Sequence, residues 1–139
     1  MHSEDSQLAG ALAAAKLRAI RTGLLALHKV VLDAERRRYE RANGRIESAG
    51  RALQLVLSDP WFAWLRPIAE LIVRADERLA DDKPIRMEET DAYAAQVLAL
   101  LQQDGGGGAF RDAYQRSLQE IPEIVIAHAR VIALATGKT

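Results

Sequence analysis

The chain of 139 residues has no cysteine, which excludes a disulfide framework and thiol chemistry together. It also lacks an excess of either charge. Nineteen Lys and Arg balance nineteen Asp and Glu, so no global field steers it toward nucleic acid or an anionic membrane. No uninterrupted run approaches the roughly eighteen apolar residues that a membrane span needs. The opening MHSEDSQLAG has no basic stretch ahead of its apolar residues, so no secretory leader is expected and the expected location is the cytoplasm. Motifs that carry chemistry are missing as well: there is no G-x-S-x-G, no P-loop, no H-E-x-x-H and no dinucleotide fingerprint. No cofactor is therefore expected, and the balance leans away from an enzyme. Proline and aromatic residues are scarce, at four and seven.

What remains is a composition typical of a folded protein, 49% hydrophobic and 27% charged. The length fits one domain over residues 1–139, which buries about two-thirds of the surface of the unfolded chain. Helical periodicity runs through nearly all of it. Leu17, Ile20, Leu24, Leu27, Val31 and Ala34 alternate by threes and fours, the seam of a long packed helix. Asp5 or Ser6 is placed to cap its start, and Asn43-Gly44 to stop it. Gly23 inside it weakens the helix modestly and permits a close helix–helix approach. A second helix is expected after Ser48, and a third carries Ile68, Leu71, Ile72, Ala75 and Leu79 on one face. A polar loop at 81–87 leads to a fourth helix over 88–103. DGGGG at 104–108 has the composition of a flexible connector. A last helix over 110–135, kinked at Pro122, presents Tyr114, Leu118, Ile121, Val125, His128 and Ile132. The expected fold is all-α, an antiparallel up-and-down bundle of four to five helices.

One stretch departs from its surroundings. SDPWFAWLRP, residues 58–67, holds three of the seven aromatic rings between two prolines. Asp59-Pro60 is a helix-start signature, and Pro67 pushes Arg66 away from helical geometry. A break or kink is therefore expected at 58–67. LHKVVLDAERRRYERANGRI followed by LQLVLSDPWFAWLRPIAELIVRADE resembles a family of short bacterial all-helical proteins that share a D-P-x-F-A-W-L-R-P segment. The likeness covers residues 24 to 80. It implies a helical fold and carries no activity or site residues with it.

Two candidate sites follow from the residues. Trp61 and Trp64, on one face of a helical turn, form one wall of a ligand pocket, with Asp59 and Arg66 as polar handles. The competing reading makes the segment a core plug: Phe62, Leu65 and one Trp fill the bend, Asp59 caps, and Arg66 pairs with Glu70. The second candidate is a metal site of His28, Glu35 and His128 on facing helices. Against it, no E-x-x-H or H-x-x-x-H pair occurs, and His28 lies two turns from Glu35. The run AERRRYER spreads its arginines round the helix, and six Arg against four acids over 33–51 make no nucleic-acid patch. Surplus apolar positions beside the main seam, Leu25, Val30 and Leu32, point to a homo-oligomer, a homodimer first, or a protein partner. The expectation is a non-enzymatic bundle acting through protein contacts; the alternative is a small-molecule- or metal-binding bundle, a metal-dependent enzyme included.

Overall fold

A computed structural model describes residues 2–102 and 107–137, and every regular element among them is helical. The first helix, α1, spans His2–Asn43 and runs unbroken through Gly23. It starts before the expected caps, so Asp5 and Ser6 lie inside it. Glu4 and Asp5 there favour the positive end of the helix dipole. It stops where expected: Gly44 adopts φ 93°, and its N–H donates to the Glu40 carbonyl at 2.8 Å. Its seam, from Ala13 to Ala34, is no more than 6% exposed.

The rest of the chain wraps this spine. α2 is Ala49–Ser58, with the Ser48 hydroxyl accepting the Arg51 N–H at 3.0 Å. A 3₁₀ helix covers Pro60–Leu65 and α3 follows at once over Arg66–Ala80. The loop to α4, Met87–Gln102, buries Ile85, so it is less polar inside than its composition indicates. α5 is Gly107–Glu120 and α6 is Pro122–Thr136. Helices α3, α4 and α6 all pack on α1. Glu120, just before α6, pairs with Arg38, and Val131 and Leu134 reach Gly23, so α6 runs antiparallel to α1. Buried apolar side chains of all six α-helices join one core.

Three further expectations need correction. There are six α-helices and a 3₁₀ helix among the described residues, where four to five were expected, because Pro122 breaks the last helix outright. Ile121 is extended at φ −124° and ψ 107°, as a β-branched residue before proline favours. The break re-phases the face: Ile124, Val131 and Ala135 are buried, and Val125 is 46% exposed. Second, Arg66 keeps α-helical angles (φ −53°, ψ −41°) despite Pro67, whose missing N–H falls in the first turn of α3 and costs nothing. Third, Gly107 and Gly108, expected in the glycine connector, belong to α5. Residues 103–106, where the rest of that connector and the end of the fourth helix were expected, lie outside the described residues.

Candidate functional site

The aromatic segment is built by its caps. Asp59 ends α2 by donating its N–H to the Leu55 carbonyl at 2.8 Å. Its Oδ1 then accepts the Trp61 N–H at 2.8 Å to open the 3₁₀ helix. The tight turns send successive rings to different neighbours. Phe62 and Leu65 enter the core, 1% and 3% exposed. Trp61 meets Tyr39 of α1 edge-on at 5.4 Å between ring centroids. Trp64 packs on Phe110 of α5 at 5.9 Å and lies under the Arg116 guanidinium, also at 5.9 Å. The two indoles thus serve two contacts, one to α1 and one to α5. Both indole N–H groups are buried without a hydrogen-bond partner among the described residues. Arg66 is exposed and forms no ion pair with Glu70.

Two of the three residues of the proposed metal site, Glu35 and His128, are engaged elsewhere. Glu35, 3% exposed, accepts from Arg116 at 2.9 Å and lies 3.7 Å from Arg38 Nε. Arg38 in turn reaches Glu120 at 3.7 Å, so a short ionic chain ties α1 to α5. His128 faces α5, where its Nδ1 lies 2.7 Å from the Tyr114 hydroxyl. Burial lowers the pKa of His128 and raises that of Tyr114, so both are neutral at pH 7. The hydroxyl and Nδ1 share one hydrogen bond, whose donor is set by the imidazole tautomer. His28 is half-buried, and its pKa is lowered by the same desolvation. Among the described residues no three His, Asp or Glu side chains gather as metal ligands would.

Trp64, Phe110, Tyr114 and His128 instead form a continuous row, with Phe110 stacked on Tyr114 at 5.3 Å. The row crosses from the 3₁₀ helix through α5 to α6. It bridges the break at Ile121 and holds the two halves of the expected last helix together.

A cleft of about 410 Å³ lies between α3 and α4, floored by Leu17 and Ala75 and rimmed by Arg74, Arg78, Glu89 and Gln96. Most of its polar side chains are committed. The Arg78 guanidinium grips Glu89 with two bonds, at 2.7 and 3.2 Å, and donates to the carbonyls of Lys83 and Pro84. That contact holds the Glu89 carboxyl below the usual carboxylate range. Arg74 bonds Gln96. The Tyr93 hydroxyl donates to the Leu71 carbonyl at 2.6 Å, and burial pushes its pKa up to about 12. Such groups set the spacing of α3 and α4; none is a base or nucleophile poised near neutrality. Sequence reasoning missed this cleft and the Tyr114–His128 bond. Partners 11 to 81 residues apart leave no spacing signal.

No helix among the described residues is long and apolar enough to cross a membrane. Neither a protein-family model nor a curated protein nor a solved structure matches the chain.

Proposed function

We propose that this chain is a non-enzymatic, cytoplasmic helical-bundle protein of bacterial type that acts through protein contacts as a homodimer. One observation carries the reading: α1 is far longer than any helix packed on it, and the excess bears exposed leucines. At 42 residues it compares with 14 to 16 for α3 to α6. Leu8 and Leu12 are 62% and 55% exposed. Large apolar side chains left on a regular helix face favour a macromolecular partner. The engagement of Glu35, His128, Arg78 and Tyr93 in internal bonds supports the same reading.

The α3–α4 cleft supports a second reading, a bundle that binds a small molecule. Native mass spectrometry of untagged protein separates the two. A species at twice the 15.3 kDa chain mass with nothing added is the expected result. A monomer at high micromolar protein refutes the homodimer, and a monomer with a retained small molecule turns attention to the cleft.

A further inference from the structure

α1 carries a second seam. Leu8, Leu12, Ala15, Ala19, Thr22 and Ala26 alternate by fours and threes, and at 3.6 residues per turn they fall within about 80° of one another. This stripe lies roughly 135° round the helix from the core seam. Leu8, Leu12, Ala15, Thr22 and Ala26 are exposed, and Ala19 is half-buried. Beside its middle runs a groove of about 330 Å³, lined by Ala15, Arg18, Ala19, Thr22 and Gly23 on α1 and by Arg130 and Leu134 on α6. α6 ends at Thr136, two residues beyond the side chain that reaches Gly23. The leucines sit on the part of α1 that continues past that end.

We propose that the occupant of this face is a second copy of the chain, its α1 antiparallel and the two-fold axis level with Leu17. This rests on the homodimer reading above and gives it an interface. In that register Leu8 lies opposite Ala26 of the other copy, Leu12 opposite Thr22, and Ala15 opposite Ala19. Every large side chain meets a small one, and the alanine layers at the centre allow an interaxial distance near the lower end of the usual range of about 8–10 Å. Each Leu12 enters the partner's groove beside Gly23 and Leu134. Charge agrees with this register. Glu4 and Lys29 are both exposed and have no ion-pair partner among the described residues of one chain. On the same flank of the seam, antiparallel pairing sets each Glu4 beside a Lys29.

A parallel pair does the reverse, stacking leucine on leucine, leaving gaps at alanine on alanine, and opposing Glu4 to itself. Like charge remains in the antiparallel pair where Arg18 meets its own copy, at a rim where water screens it. The strip from Leu8 to Ala26 is about 27 Å long and one helix wide. With the α6 rim it buries on the order of 1,000 Å² in total, the lower edge of specific interfaces.

The absence of cysteine makes the test clean. Leu12→Cys and Thr22→Cys are prepared separately in the full chain, at exposed positions where circular dichroism should match wild type. Each is oxidised alone and as an equal mixture. A covalent dimer forming only in the mixture is expected. Like positions are ten residues, about 15 Å, out of register in the antiparallel pair, beyond disulfide reach. Self-linkage of Leu12→Cys means a parallel pair and overturns the proposal. If wild type sediments as a dimer and the mixture does not link, the homodimer stands and this interface falls. If wild type is a monomer at hundreds of micromolar, both fall, and the face belongs to another protein.

Discussion

Gly23 offers a test in which two known effects oppose each other. In a helix interior, Gly→Ala stabilises by about 1 kcal/mol, mostly through the unfolded chain. At Gly23 the added Cβ would lie 3.1 Å from Leu134 Cδ1 and 3.3 Å from Val131 Cγ2. Ordinary carbon contacts need about 3.5 Å or more, so both neighbours must yield by a few tenths of an ångström. Leu134 is partly buried and can rotate, whereas Val131 is fully buried and stiff at χ1. Overpacking of this kind costs about 1–3 kcal/mol, and one yielding neighbour of two places it at the low end. The terms nearly cancel, and Gly23→Ala should change stability by less than about 1 kcal/mol.

Gly10 in the same helix is the control. Its Cβ would meet only the Ile85 carbonyl, at 3.7 Å, so Gly10→Ala should show the full gain of about 1 kcal/mol. For 139 residues the unfolding entropy is about 0.3 kcal/mol per degree, which makes that gain about 3–4 °C in Tm. Gly23→Leu adds atoms directed toward the α6 backbone, where Val131 Cα lies 3.9 Å from the Cβ position, and should cost about 3 kcal/mol. Thermal and urea unfolding of the three variants measure the set. A Gly23→Ala gain equal to that of Gly10→Ala would mean that α6 is not seated this closely on α1.

Tyr114→Phe keeps the ring stack and strips His128 Nδ1 of its hydrogen-bond partner, so it should cost about 1–2 kcal/mol by urea titration. Asp59→Ala removes the acceptor for the Trp61 N–H and should cost about 1 kcal/mol, with an unchanged denaturant slope. His28 and His128 both have folded pKa values below the ordinary 6.5, so between that value and their folded pKa values the unfolded chain binds protons that the folded chain refuses. Their contribution is therefore present above pH 6.5 and lost as pH falls through the folded pKa values. Tm should drop on going from pH 7.5 to 5.5, and His28→Gln with His128→Gln should remove most of the drop. A drop of the same size in that double variant would assign it to other groups.

Much of the fold was legible where the determinants are local. The spacing Leu17, Ile20, Leu24, Leu27, Val31 marks a buried seam in any helix that has neighbours, and Gly44 ends it because only glycine adopts that φ freely. The caps at Ser48 and Asp59 belong to the same class. The two X-Pro steps show where local reasoning stops. Arg66-Pro67 and Ile121-Pro122 carry the same steric restriction and resolve oppositely, helical at Arg66 and extended at Ile121. The unbranched arginine tolerates the helical angles that let Ile68 and Leu71 dock, whereas β-branched isoleucine is already biased to the extended region. Once α6 is re-phased there, His128 turns to Tyr114 on α5. No periodicity computed across the break could have placed it.

The seating of α6 on α1 also sets an order of events during synthesis. Gly23 and Val131 are 108 positions apart, whereas Arg78 and its loop-closing partner Glu89 are 11 apart. Closing the longer span costs about 2 kcal/mol more in chain entropy. At about 5–20 residues per second, roughly 5–20 s pass between translation of the two halves of the α1–α6 contact. α3 and α4 can pair on α1 within that interval. The strip of α1 around Gly23 stays open until α6 has left the ribosome, which makes the fifteen residues of α6 the closing step of the core.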